Sequence, residues 1–179
     1  MTAPRLTFHP RDPQQHVSRE TVVDNMRELG FIAAELDGQA GDCFIAGEHF
    51  IDLLSFLGCS PVIHLSPEEG DKFCYIELLD LPAAELIYAN QPFQPKCKRC
   101  RHPLTDWKTQ LSGASVIQCH ECNSAIPLDK VNWKQSAGYA SQFMFVHNIY
   151  PHEAVPGERL MMKLEAISDN KPWDYFYDI

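Results

Sequence analysis

The sequence contains no apolar run that approaches the roughly 20 residues needed to span a membrane. Its first ten residues also lack a basic stretch followed by an apolar stretch, which is the pattern of a secretory signal peptide. We therefore predict a protein of the cytoplasm, where thiols stay reduced and disulfides are rare.

Motifs of common enzyme classes are absent as well. The chain has no glycine-rich phosphate loop, no GxSxG motif and no HExxH motif. One cluster around Pro151, formed by His147, His152 and Glu153, is a candidate acid–base pair. The alternative is a solvated loop with a carboxylate near a helix N-terminus. An enzyme with a site near His152 is therefore the weakest of our hypotheses.

Composition and length predict a globular chain. Hydrophobic residues make up 45% of the 179 residues and charged residues 22%. The length predicts one domain, or one domain with an insertion. Apolar residues at helical spacing predict three helices, one capped by Ser18 and ended by Gly30, one over residues 48–57, and one that begins at Pro156.

Strands are predicted between and after these helices. The first 17 residues contain three prolines and no apolar period, so we predict an irregular arm there. The alternation from Trp173 to Ile179 predicts a final strand with one buried face. Four further strands are predicted from apolar and β-branched residues, over residues 31–36, 62–65, 73–81 and 142–150.

Four of the seven cysteines follow the pattern Cys-x2-Cys-x18-Cys-x2-Cys. They are Cys97, Cys100, Cys119 and Cys122. Two intervening residues let one tight turn direct both sulfurs towards one point, and two such turns complete a tetrahedral site with zinc–sulfur bonds of about 2.3 Å. We predict that these cysteines bind one structural Zn²⁺ ion.

Residues 94–128 resemble the zinc-ribbon class of modules. Each cysteine pair is followed by a Pro-Leu dipeptide, and the spacer suits a β-hairpin that turns at residues 112–114. Arg101 and Asn123 stand where a glycine is usual in this class. The resemblance implies a small stranded module, inserted here between residues 1–93 and 129–179. With the predicted helices and strands, these flanks form one small mixed core, which makes the fold class α+β.

Other interpretations of the four cysteines remain open. A mononuclear iron site of the rubredoxin type has the same four-thiolate geometry, and a CxxC pair also occurs in redox proteins. A catalytic zinc ion is not expected, because four cysteine ligands leave no open position for water. His102 and His120 lie beside the pairs, but a complete cysteine set makes them unnecessary as ligands.

The remaining cysteines, Cys43, Cys59 and Cys74, lie among apolar neighbours and are predicted to be buried, inert thiols. A second metal site that combines them with His49 or His64 is the alternative, although the spacings do not suggest one.

Charge is unevenly distributed. The formal net charge is −9, which disfavours nucleic acid as a partner, because phosphate contacts need a basic surface. Residues 96–135 nevertheless carry seven basic and three acidic residues, a formal +4, and leave −13 on the rest of the chain. These cations either neutralise a zinc–thiolate centre or form a contact surface for an acidic partner.

The end of the chain, from Asn148 through the aromatic run at Trp173–Tyr177, is similar to the ends of short uncharacterised bacterial proteins with a CxxC pair. This resemblance implies a bacterial cytosolic protein and no particular function. Our first hypothesis is a non-enzymatic, zinc-stabilised interaction or regulatory factor whose partner is another protein. The second is a nucleic-acid or transcription/translation-associated factor that uses the basic face, with Trp107 and Trp133 as stacking groups.

Overall fold

The computed structural model describes residues 3–37, 42–57, 63–70, 72–111, 113–151 and 153–178. The strands in these residues are β1 (Arg5–Pro10), β2 (Ile32–Glu35), β3 (Asp42–Ala46), β4 (Leu54–Phe56), β5 (Tyr75–Tyr88), β6 (Val116–Gln118), β7 (Ala125–Pro127), β8 (Ala137–His147), β9 (Ala154–Pro156) and β10 (Trp173–Asp178). The α-helices are α1 (Arg19–Glu28), α2 (Phe50–Leu53) and α3 (Glu158–Ala166). Helices and antiparallel sheets together confirm the predicted α+β fold class.

One antiparallel sheet of six strands forms the centre of the molecule, in the order β10-β1-β8-β5-β3-β2. Strands β1 and β5 precede the cysteine pairs in the chain, whereas β8 and β10 follow them. The register places Leu6 opposite both Val146 and Tyr177. Chain segments from the two sides of the cysteine pairs therefore share one sheet.

Helices α1 and α3 cover one face of this sheet. Ser18 caps α1 as predicted, because its hydroxyl accepts a hydrogen bond from the backbone N–H of Thr21 at 3.1 Å. Gly30 has a φ of 76°, a left-handed conformation that glycine adopts at low cost. The fully buried side chains of this face include Leu6, Phe8, Met26, Phe44, Ile76, Val146, Leu160 and Leu164.

The opposite face is closed by the far ends of β5 and β8, two strands that themselves belong to the sheet. The pairing register shifts between Asp80 and Glu85, and beyond this shift Ile87 packs against the cluster that contains Phe143 and Phe145. Asn90, just after β5, donates its backbone N–H to the Asp178 carboxylate at 2.9 Å. The pair thus curls over the sheet towards β10.

The curled pair changes the environment of the final strand. Trp173 is 2% exposed on one face of β10, and Phe176 is fully buried on the other. The prediction that only one face of this strand is buried is therefore wrong, because both faces are buried. The strand itself lies where the alternation predicted it. Ile179, the last residue of that prediction, lies outside the described residues.

Two further predictions are wrong. The first 17 residues are not simply an irregular arm, because β1 lies inside the sheet and pairs with β10 and β8.

The predicted helix over residues 48–57 is limited to α2. Its last carbonyl, that of Leu53, accepts the backbone N–H of Gly157 at 2.8 Å, and Leu54 then begins β4, which pairs with β9. Tertiary pairing therefore ends this helix early.

Strand boundaries also differ from the sequence-based expectations. Strand β5 is longer than predicted and β8 lies earlier, because the two pair along nearly their whole lengths, from Tyr75–His147 to Tyr88–Ala137. Residues 63–65 form no strand, and residue 62 lies outside the described residues. Pro156 ends β9, so α3 begins at Glu158 with Gly157 as its N-cap. None of the described helices has the length and apolar character of a membrane span.

Candidate metal centre

Each cysteine pair lies on a tight backbone turn. In the first turn, the N–H of Cys97 donates to the carbonyl of His102, and the N–H of Arg101 donates to the carbonyl of Cys97, both at 2.9 Å. The second turn repeats this arrangement with Cys119 as its first cysteine. The two turns are closed by the Lys96–Pro103 bridge and by the β6–β7 pair, respectively. We call them the first and second knuckles, residues 96–103 and 118–125.

Both knuckles require a left-handed residue directly after the second cysteine. Arg101 has a φ of 62° and Asn123 a φ of 55°. Asparagine adopts this conformation readily, whereas arginine does so at a cost of roughly 1–2 kcal/mol. Both positions therefore have the left-handed backbone that glycine adopts at low cost, although neither is glycine.

The knuckles bring the four predicted cysteines together. The Cys97 and Cys122 sulfurs are 3.7 Å apart, the Cys100 and Cys119 sulfurs are 3.6 Å apart, and all four lie within 4.8 Å of one another. A tetrahedral ion with bonds of about 2.3 Å places its sulfur ligands about 3.8 Å apart. The cluster therefore fits a metal ion such as zinc. Within the described part of the chain it is the one group of ligand-type side chains with this spacing.

Polar groups next to the sulfurs favour the thiolate form of Cys97 and Cys122, whereas at Cys100 the backbone hydrogen bond from His102 is outweighed by burial and the neighbouring sulfurs, which raise the pKa to about 12. The Ser124 hydroxyl lies 3.0 Å from the Cys122 sulfur and 3.4 Å from the Cys97 sulfur. This hydroxyl and, next, the backbone N–H of Cys100 lower the pKa of the Cys97 thiol to about 6. The same hydroxyl, followed by the backbone N–H of Ser124, lowers the pKa of Cys122. Thiolates are the form that binds metal ions.

The cysteine module, residues 94–128, is packed onto the end of the β5–β8 pair. The Trp107 ring centroid lies 5.0 Å from those of Tyr88 and Trp133. The Trp133 indole N–H donates to the carbonyl of Leu128 at 3.1 Å. Trp107 and Trp133 are only 2% and 7% exposed. They are therefore not available as stacking groups for bases, which corrects that prediction.

Of the candidate acid–base cluster after β8, the two members in the described part of the chain, His147 and Glu153, have separate partners. His147 Nε2 lies 2.7 Å from the Glu77 carboxylate, and its ring stacks on Tyr75 at 4.3 Å. Glu153 instead accepts the backbone N–H of Tyr150 at 2.9 Å. Residue His152 lies outside the described residues. Glu77 was not identified from the sequence, because it stands 70 positions before His147 and meets it only through strand pairing.

The other thiols behave as predicted where the structure describes them. Cys43 and Cys74 are buried, and burial raises their pKa values to about 11 and about 12. Neither is an activated nucleophile, because the reactive thiolate is disfavoured at neutral pH. Cys59 lies outside the described residues. His120 contacts the Asp106 carboxylate and is not part of the cysteine cluster.

A basic cleft of about 440 Å³ opens beside the first knuckle. It is lined by Phe93, Lys96, Cys97, Lys98, Arg101, Asn132 and Lys134. The four cations belong to the basic segment that the sequence identified. Phe93 and Asn132 were missed, because they flank the cysteine module and reach the cleft only through its folding.

No protein-family model, curated protein or solved structure matches this chain. The four-cysteine cluster and the surfaces around it are therefore the features from which a function is inferred.

Proposed function

We propose that this chain is a non-enzymatic zinc-binding protein that acts as an interaction or regulatory factor, with one structural Zn²⁺ held by Cys97, Cys100, Cys119 and Cys122. The observation that carries the proposal is the set of four sulfurs within 4.8 Å of one another. Four thiolates fill a tetrahedral ion, so water or substrate finds no coordination position. A metal in this site stabilises structure rather than performing chemistry.

The position of the cluster supports a structural role. Cys97 and Cys119 are buried at 1% and 0% exposure in the cluster that also contains Trp107 and Trp133. Zinc bound there would fix the two knuckles against each other and against the end of the β5–β8 pair. It would thereby hold the surface of the module in one shape, which a binding partner requires.

Another protein is the partner that we favour, and nucleic acid is the second candidate. A nucleic acid would contact the same basic residues, but Trp107 and Trp133, the two residues proposed for base stacking, are buried. An enzyme with a site near His152 is the weaker alternative. The described neighbours of that position, His147 and Glu153, have separate partners.

The test is affinity purification of the tagged full chain from its source cells, in parallel with a Cys119→Ser variant. We expect a defined protein to co-purify with the wild type, to resist nuclease treatment, and to be lost with the variant. The matched control is Cys43→Ala, which removes a thiol outside the cluster and keeps the partner. A nuclease-sensitive association would favour the nucleic-acid hypothesis, and an association indifferent to Cys119 would contradict the proposal.

A further inference from the structure

The basic cleft is unusual in its charge. Among its lining residues are four cations and no acid. Within the described part of the chain, Lys96, Lys98, Arg101 and Lys134 form no ion pair, whereas Lys130 nearby is paired with Asp129 at 2.9 Å. Since the chain has 24 acidic residues and 15 basic ones, unneutralised cations around one cleft are not a consequence of composition.

Two of these cations are at positions where the backbone adopts a conformation that costs free energy for residues other than glycine. Arg101 has a φ of 62° and Lys134 a φ of 48°, both left-handed. Glycine or asparagine would occupy these positions with less strain, so a long cationic side chain in each is not explained by backbone preference. Residues in strained conformations are frequent at binding sites, where the side chain has a use that offsets the cost.

Neutralisation of the metal centre accounts for only part of the charge. Four thiolates around Zn²⁺ carry a formal charge of about −2. Cys97 contributes one of these sulfurs and also lines the cleft. The four lining cations exceed that charge by about two, so the cleft remains positive when the metal is bound.

The aromatic content of the cleft and the charge around it favour a short acidic segment over a nucleic acid. Its one aromatic lining residue, Phe93, is 37% exposed and has Lys134 Nζ 4.4 Å from its ring centroid, which covers one face. Single-stranded nucleic acids bind on successive aromatic side chains in a basic groove. A long polyanion would also extend onto the part of the chain with a formal charge of −13. A short segment avoids both problems.

We propose that this cleft binds an acidic peptide segment of a partner protein, with carboxylates on the four cations and an apolar side chain against Phe93. The inference rests on the proposed function, because it names the chemistry of the partner that the zinc-stabilised surface recognises. Electrostatic complementarity of this kind governs the association rate and the choice of partner.

The experiment measures fluorescence anisotropy of a fluorescein-labelled poly-glutamate peptide with the zinc-loaded full chain. Lys98→Glu is the test variant. Arg99→Glu is the matched control, because it makes the same change of charge on the same knuckle at a residue that does not line the cleft. We expect Lys98→Glu to weaken binding about tenfold, Arg99→Glu to weaken it about twofold, and added salt to weaken binding to the wild type.

Lys134→Glu, outside the cysteine module, is the second variant, and zinc content and near-UV circular dichroism verify that each variant is folded. It should weaken binding as Lys98→Glu does. The proposal is overturned if poly-glutamate fails to bind, or if Arg99→Glu weakens binding as much as Lys98→Glu. Tighter binding of labelled oligothymidine than of poly-glutamate would overturn it in favour of nucleic acid. If the cleft variants still capture the cellular partner, this inference fails and the proposed function stands.

Discussion

The sheet core and the cysteine module are stabilised in different ways. The sheet core buries large apolar side chains from six strands and two helices, among them Phe8, Phe44 and Phe176 at 0% exposure. The two paired strands of the module, β6 and β7, are only three residues long, and two of its most buried side chains are the ligand-type Cys97 and Cys119. We propose that apolar burial suffices for the first region, whereas the second also depends on a metal ion held by its cysteines.

Loss of the metal should have the largest effect and test how separate the two regions are. Cys119→Ser removes a fully buried sulfur of the four-cysteine cluster, and the binding free energy of a structural zinc is on the order of 10 kcal/mol. We expect the module to unfold and the melting temperature of the whole chain to fall, because Trp107 and Trp133 pack against Tyr88 and Ala137 at the end of the sheet.

The measurement is thermal unfolding followed by near-UV circular dichroism, with Cys43→Ala as the control that keeps the metal. An unchanged melting temperature and an unchanged aromatic signal in Cys119→Ser would show that the module is a separable appendage.

A cavity in the sheet core should have the next largest effect and leave the metal bound. Phe8 is fully buried on β1, between β8 and β10, and Phe→Ala substitutions in cores cost about 3–5 kcal/mol. Phe8→Ala should therefore lower the free energy of unfolding by this amount with zinc content unchanged. Phe93→Ala, at a 37% exposed ring, is the control with a small effect. Loss of zinc from folded Phe8→Ala would show that the two regions are not stabilised separately.

Removal of a helix cap should have a smaller effect, confined to the sheet core. Ser18 accepts the N–H of Thr21 at the start of α1, and Ser→Ala at an N-cap costs about 1 kcal/mol. Urea unfolding of Ser18→Ala should show this loss, while Ser55→Ala, an exposed serine on β4, should not. Equal stability of the two variants would mean that the cap contributes nothing.

The smallest effect should come from an exposed ion pair of the sheet core. Arg11 donates two hydrogen bonds of 2.8 Å to Asp174, and these lower the pKa of Asp174. A carboxylate whose pKa is lowered by folding stabilises the protein above its unfolded pKa of about 3.9, and the contribution is lost as the pH falls through the lower folded value.

Because both side chains are about half exposed, with 62% and 45% exposure, we expect less than about 1 kcal/mol. The measurement is the stability difference between wild type and Asp174→Asn, which should shrink as the pH falls below about 4. A difference that grows in acid would contradict the assignment.

Sequence patterns predicted the local features of both regions well. The cysteine spacing predicted the two knuckles, because each is a local turn, and it identified the four sulfurs that lie together. Ser18 and Gly30 predicted the ends of the first helix, because caps act within one turn. The alternation from Trp173 predicted β10, but it did not predict β1, the strand that pairs with it.

Features that depend on distant pairing were not predictable in the same way. Strand β1 has only Leu6 and Phe8 as strongly apolar residues and is held by its neighbours β8 and β10. Helix α2 ends where Gly157 bonds to Leu53, across more than 100 residues of chain. The pairing of His147 with Glu77 and the contribution of Phe93 to the cleft likewise follow from tertiary structure.

Elemental analysis of the purified, freshly reduced protein is the most direct test of whether the four cysteines hold one zinc ion. We predict about one zinc per chain and a colourless solution, since four thiolates fill one tetrahedral Zn²⁺ ion, which has no visible absorption. A red protein that contains iron would contradict the identity of the metal. A folded, reduced protein without bound metal would contradict the metal centre itself.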